Sequence, residues 1–233
     1  MKWYSLMFPG LLFVVALMFR AISSLWRKSP LESFDQTLTR ERLIQSARIL
    51  VVDDEDPLLI SELKTAGFAV DHDRVGDDLH CIDGQIYDLA IVDYHGVGQR
   101  LGSLQGLDLL KHIRRVSPRT RILAYTSRSL TAKESEFFRL SHDVLRKDWG
   151  LVESLTLVEA ELQKAFSKEH LFEAMLAKLN ISNQKEKHRI KSMLARSLSK
   201  GDEGGFKKQI EKIAGTVAEK AVDIIISRMF AAS

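Results

Sequence analysis

From residue 48 to residue 166 the chain alternates short apolar runs with stretches whose apolar residues recur every three or four positions. RILVV (48–52), FAV (68–70), LAIV (89–92), RILAY (121–125) and DVLR (143–146) read as buried strands, each ending at acids or turn residues. Segments near 57–66, 77–82, 106–116, 131–140 and 151–166 carry helical spacing. Five strand–helix repeats without a hairpin signal predict an α/β fold, a doubly wound five-stranded parallel sheet covered on both faces by right-handed crossovers. In such a sheet the chemistry lies beyond the carboxyl ends of the strands, at the point where strand order reverses.

The flanks follow other patterns. Trp3 to Phe19 is a run of 17 residues without a charge, reaching about 25 Å of a roughly 30 Å hydrocarbon layer. If Arg20 snorkels, the span extends to Trp26, with Trp3, Tyr4 and Trp26 at the interfaces. Residues 1–28 are therefore expected to be a transmembrane anchor holding the chain through residues 3–26, the rival being a signal peptide cleaved near Ala21-Ile22-Ser23. Arg20, Arg27 and Lys28 outnumber Lys2, so the expected location is the inner or plasma membrane, single-pass, with the rest of the chain on the cytoplasmic side. Residues 29–46, polar with a weak apolar face at Leu31, Phe34, Leu38 and Leu43, read as a juxtamembrane tether.

Residues 47–167 form the α/β domain, and residues 168–233 are expected to be a helical interaction region. In the latter, Lys185 to Lys212 holds nine Lys or Arg against four acids, compatible with an anionic leaflet or a nucleic acid but most often a solvated face. Phe206, Ile210, Ile213, Val217, Ala221 and Ile224 then form a seam that must bury itself against a partner helix, a second copy of the chain or the α/β domain. Residues 206–230 are thus a homo-oligomer or partner-helix surface, while the lack of a helix-turn-helix signature argues against nucleic acid as partner.

Composition narrows the class. The 233 residues are 45% hydrophobic and 28% charged with only 4 Pro, which excludes a disordered or polytopic chain. A single cysteine, Cys81, excludes a disulfide framework and a cysteine zinc cluster, and the net charge of +3 points to no polyanion by itself. His72, His80, His112 and His142 show no ligand spacing.

At the strand ends stand Asp53-Asp54-Glu55-Asp56, Asp93, Thr126-Ser127 and Lys147. Carboxylates crowded on one edge repel unless a cation sits among them, and an Asp pair facing a third Asp suits magnesium, a hard ion that takes oxygen ligands and keeps several waters. Asp93 then has the placement of a nucleophile for phosphoryl transfer, with Lys147 neutralising phosphoryl oxygens and Thr126 hydrogen-bonding one of them. As bland alternative, the acids after the first strand would only cap a helix.

Residues 47 to 166 resemble the receiver domain of bacterial two-component response regulators, CheY-like and flavodoxin-like in fold. The likeness rests on ILVVDDEDP, YDLAIVDY, GLDLLKHIR, ILAYTS and VLRKDW. It implies that Asp53 and Asp54 bind magnesium together with Asp93 and the backbone carbonyl of His95. It further implies that Asp93 accepts a phosphoryl group from a sensor histidine kinase or phosphotransfer protein, and that Thr126 and Lys147 sense it. The chain departs from the family pattern in a longer, glycine-bearing loop between Asp93 and Gly106, in Val144 where a Tyr or Phe is frequent, and in Asp148 where Pro is commonest. The expected function is a membrane-anchored receiver in a phosphorelay, not itself an enzyme, whose output is a helical surface; the alternative is a non-cycling receiver-like scaffold assembling through its helices. A haloacid-dehalogenase-type phosphatase would need a second Asp where His95 stands.

Overall fold

The computed structural model describes residues 29–76, 86–127, 135–214 and 220–231. The elements run α1 (Arg40–Ser46), β1 (Arg48–Val52), α2 (Leu58–Thr65), β2 (Ala69–Asp73), β3 (Leu89–Asp93), α3 (Gly106–Val116), β4 (Arg121–Thr126), α4 (Ser135–Leu140), β5 (Asp143–Arg146) and α5 (Leu151–Ala165). Four more helices follow, α6 (Lys168–Lys178), α7 (Gln184–Leu198), α8 (Glu203–Ala214) and α9 (Lys220–Ala231). The helix expected at 77–82, with His80 and Cys81, lies outside the described residues.

The five strands pair in parallel in the order β2-β1-β3-β4-β5. Strand order therefore reverses between β1 and β3, which places the crevice of the sheet at their carboxyl ends. Successive strand residues feed opposite faces. Ile49, Val51, Leu89, Ile91 and Leu123 pack with Leu63, Val158 and Leu162, whereas Leu50, Val52, Ala90, Val92 and Ala124 pack with Leu107, Leu110 and Phe137. Strand β2 runs to Asp73, past the expected end at Val70. It is an edge strand with one paired side, so its polar DHD tail stays in register with β1 while reading as loop.

Helices α6 to α9 enclose a third core of Leu171, Phe172, Met175, Ile190, Leu194, Phe206, Ile210, Ile225 and Met229. Side chains cap two of these helices, Ser167 accepting from the His170 amide and Asn183 from those of Lys185 and Glu186. The expected seam at 206–230 is thus corrected in its partner. Phe206 and Ile210 are covered within the chain, because α9 is a separate helix whose buried face is Val222, Ile225, Ile226 and Met229. The seam residue Val217 lies outside the described residues.

Residues 29–46 are packed rather than free to reach. Leu31 is fully buried in the helical core, the Ser29 hydroxyl donates to Glu169 at 2.6 Å, and the Lys168 amide donates to Asp35 at 2.7 Å. Gln163 on α5 holds both the amide and the carbonyl of Leu38, at 3.1 and 2.6 Å.

The expectation of a single-pass membrane protein is also corrected. Among the described residues no helix is long and apolar enough to cross a membrane. The longest, α5 and α7, have 15 residues each, about 22 Å at 1.5 Å per residue against a roughly 30 Å hydrocarbon layer. The segment expected to be the anchor, residues 3–26, lies outside the described residues.

The helical unit docks under the amino ends of the strands. Asp88, just before β3, receives Arg119 at 2.5 Å, Arg228 of α9 at 3.1 Å and the Arg48 amide at 3.0 Å, and it is only 1% exposed. Arg228 also lies over the Phe166 ring, 5.2 Å from its centre. Nearby, His142 accepts the Ile122 amide at 2.8 Å through Nδ1, and His170 of α6 contacts the Arg119 carbonyl at 2.7 Å through Nε2.

Two predictions follow from this junction. Asp88→Ala removes the buried carboxylate that Arg119, Arg228 and the Arg48 amide share and is expected to cost about 3–5 kcal/mol, read from urea unfolding, with the Arg119→Met double variant recovering part of the loss. Burial, reinforced by Arg121, His170 and Arg114, lowers the His142 pKa to about 3. Below the unfolded value near 6.5 the unfolded chain takes up a proton that the folded chain refuses, so stability falls from about pH 6.5 down to about pH 3. His142→Gln is expected to flatten that acid limb of the stability profile, and an unchanged limb refutes the assignment.

Candidate functional site

Four of the expected residues meet at the carboxyl edge of the sheet because parallel β1, β3, β4 and β5 all end there. Asp53 follows β1, Asp93 ends β3, Thr126 ends β4 and Lys147 follows β5. One carboxylate oxygen from each of Asp53, Asp54 and Asp93 lies within 4.8 Å of the others. Asp53 and Asp93 are buried and Asp54 is exposed, so the group opens to solvent on one side.

Lys147 bridges the two buried acids, its Nζ 2.6 Å from Asp53 Oδ2 and 2.8 Å from Asp93 Oδ2. Its Nζ also lies over the Tyr125 ring, 5.0 Å from the ring centre. Burial pulls the Lys147 pKa down, but the two carboxylates outweigh it and hold the ammonium above its ordinary value. Burial raises the Tyr125 phenol to about 12, against the opposing pull of Lys147.

Backbone donors fix the carboxylates from the other side. The Glu55 amide donates to Asp53 Oδ1 at 2.9 Å, and the Tyr94 amide donates to Asp93 Oδ1 at 2.6 Å. Asp53 Oδ2 is buried and receives no aligned hydrogen bond, and its close approach to Lys147 is an ion pair in distance only. Three carboxylates against one ammonium leave two negative charges, and an oxygen-only donor set with a buried, unsatisfied acceptor fits a hard divalent cation.

The loop after Asp93 is fitted around this group. Gly96 has φ +76°, and a Cβ there would run into the Asp54 carboxylate. Gly106 opens α3 so close to Asp93 that a Cβ would meet the Asp93 carbonyl oxygen. Gln105 Oε1 accepts the Gly96 amide at 3.3 Å, and the Gly98 amide donates to Val75 at 2.7 Å. His95 is exposed, its ring edge-on to Tyr94 at 4.9 Å. Tyr94 in turn meets Phe137 of α4 at 5.3 Å, edge to face.

His72 and Arg74 belong to the site's support although the sequence pattern left them aside. His72 Nε2 lies 2.8 Å from the Asp53 carbonyl, and Arg74 donates to the Asp54 carbonyl at 3.3 Å and pairs with Asp56. Both lie on or just beyond the end of β2, and the extra pairing of Val52 with Asp73 brings them beside the acids. A polar DHDR stretch at an edge carries no periodic signal, so only the register reveals it.

No family model matches the chain, and no curated protein matches it. Solved structures similar to it include response regulator receiver domains. A CheY-like receiver domain protein from Methanospirillum hungatei JF-1 is 19% identical, over 51% of this chain and 95% of that one, with a TM-score of 0.44. The receiver domain of NtrX from Brucella abortus is 24% identical, over 49% and 98%, with a TM-score of 0.43. A two-component response regulator from Clostridium difficile is 22% identical, over 51% and 97%, with a TM-score of 0.44.

Gly96→Ala combines a left-handed backbone with a collision at Asp54, and is expected to cost about 1–2 kcal/mol in urea unfolding. Because relief of the collision moves Asp54 away, magnesium binding measured by isothermal titration calorimetry should weaken at the same time. Unaltered magnesium binding in this variant would place Asp54 outside the cation site.

Proposed function

We propose that this chain is a two-component receiver that accepts a phosphoryl group on Asp93 from a histidine kinase or phosphotransfer protein, and that its output is an interaction surface of the helical unit rather than catalysis. The observation that carries this reading is the convergence of Asp53, Asp54 and Asp93 within 4.8 Å, bridged by Lys147. Helix capping, the bland reading of these acids, does not account for it. The residue before α2 is Pro57, and no side chain caps that helix.

Magnesium, held by Asp53, Asp54, Asp93 and the His95 carbonyl, would supply positive charge against the phosphoryl oxygens. The chain's own residues divide the remaining work. Asp93 is held from one side by the Tyr94 amide, which leaves its other oxygen toward Lys147 and the open side of the pocket. A carboxylate oxygen of Asp93 forms a bond to phosphorus while the bond from phosphorus to the donor imidazole breaks, and the neutral imidazole leaves. Lys147 exchanges one carboxylate partner for a phosphoryl oxygen, and the Thr126 hydroxyl donates to another.

Transmission then has a route that replaces the aromatic absent at Val144. Tyr94 contacts the phosphoacceptor through its amide and α4 through Phe137, so a shift of the Asp93 carboxylate bears on α4 directly.

Incubation with acetyl phosphate and magnesium, followed by phosphate-affinity electrophoresis, tests the proposal. One labelled species is expected, absent in Asp93→Ala and absent with a chelator, while Asp108→Ala labels normally. Label that persists in Asp93→Ala, or no label in the wild type, leaves the non-cycling scaffold as the better account.

A further inference from the structure

The charge of the chain is divided between its parts. Residues 47–167 hold fifteen Lys or Arg against twenty acids, whereas residues 168–233 hold thirteen against eight. An acidic receiver thus carries a basic helical unit, an asymmetry suited to contact with a polyanion.

The basic charge is concentrated by the way α7 is packed. Ile190, Leu194 and Leu198 form its buried face. At about 100° per residue, Lys185, Arg189 and Arg196 fall within about 40° of one another on the opposite face, and Lys200 follows in the turn that ends the helix. All four are exposed, and none forms an ion pair with a described residue. The acids of α6 are engaged at the inner edge, Glu173 with Lys187 at 3.1 Å and Glu169 with Lys191 at 2.5 Å. What remains outward is a line of four cations about 22 Å long, the length of about six base pairs of a duplex.

The same surface discriminates among polyanions. Insertion into a lipid headgroup layer needs an apolar face, yet among the described residues the large exposed apolar ones, Leu58, Val75, Leu104, Trp149, Leu151 and Val152, all belong to the receiver. Single strands are held by stacking bases on exposed aromatics, yet the unit has no Tyr or Trp, Phe172 and Phe206 are buried, and Phe230 is packed against the core. A rigid, purely cationic stripe without either feature suits the phosphate backbone of a duplex.

We propose that the outward face of α7, with Lys185, Arg189, Arg196 and Lys200, binds the phosphate backbone of duplex nucleic acid without reading its sequence. The absence of a helix-turn-helix signature argued against nucleic acid as partner, but contact with the backbone alone needs no such motif. It is independent of phosphorylation at Asp93, and the acidic receiver would turn the helical unit toward the polyanion.

Fluorescence anisotropy of the full chain with a labelled duplex of about 20 base pairs tests this, DNA and RNA duplexes being run in parallel. Four phosphate contacts at roughly 0.9 each give an expected slope of log affinity against log salt of about −3 to −4. Replacing Lys185, Arg189, Arg196 and Lys200 by Gln should lower affinity by about tenfold or more and remove most of the slope, and Arg189→Gln/Arg196→Gln alone should about halve it. A control with Arg42, Lys64, Arg115 and Arg139 replaced by Gln removes the same net charge and should keep both affinity and slope. Circular dichroism and urea midpoints confirm that the variants are folded. Equal loss in the control, preference for single strands, or retention on phosphatidylserine vesicles without binding to either duplex overturns the proposal.

Discussion

Two carboxylates, Asp53 and Asp93, are buried side by side at the end of the sheet, and one ammonium lies between them. Removing a carboxylate from water costs several kcal/mol unless it is paired and hydrogen-bonded. Lys147 and the amides of Glu55 and Tyr94 supply that compensation. It is incomplete, because Asp53 Oδ2 has no aligned donor and Asp54 brings a third charge with none of its own among these partners. The pocket is therefore stable enough to fold yet left with an excess of negative charge, the condition under which a cation and a phosphoryl group gain most by entering. A better-satisfied cluster would be a structural salt bridge with nothing to exchange.

This condition reaches outward into the chain. The acids can sit together only if the loop after Asp93 comes close, and that requires Gly96 beside Asp54 and Gly106 against the Asp93 carbonyl. It also requires β2 to run to Asp73, so that His72 and Arg74 can grip the backbone of the acidic turn. The loop is packed rather than left loose, its Val97 buried with Val52 and Leu109 in the core and its Gly98 amide donating to Val75 in the turn after β2.

The strands and their end residues were legible because a buried parallel strand is short, apolar and followed at once by its functional residue. RILVV, LAIV and RILAY end within one residue of their observed limits. The support residues were illegible for the complementary reason. His72 and Arg74 act through an edge strand whose polar tail has no period, and Tyr125 lies inside an apolar run that any large side chain could fill. The partner of the C-terminal seam was illegible as well. A heptad-like stripe states that something must cover it, and the covering face of α9 is out of phase with the stripe by about one residue, so the continuous pattern concealed a second helix.

The two ends of β3 now stand in different chemical roles. Asp93 closes the strand at the acidic pocket, while Asp88, directly before its first residue, anchors Arg119 and, through Arg228, the last helix of the chain. Both carboxylates are attached to one buried strand held in register on both sides, by β1 and by β4. Close-packed interiors transmit strain rather than absorb it. The acidic pocket and the anchor of the helical unit thus share one rigid element and lie at its opposite ends. The site lies at the carboxyl edge, the basic unit under the amino edge, and the strand between them is about 17 Å long at roughly 3.3 Å per residue. The helical unit is thereby kept clear of the acidic pocket, so contacts made at one edge of the sheet leave the other free.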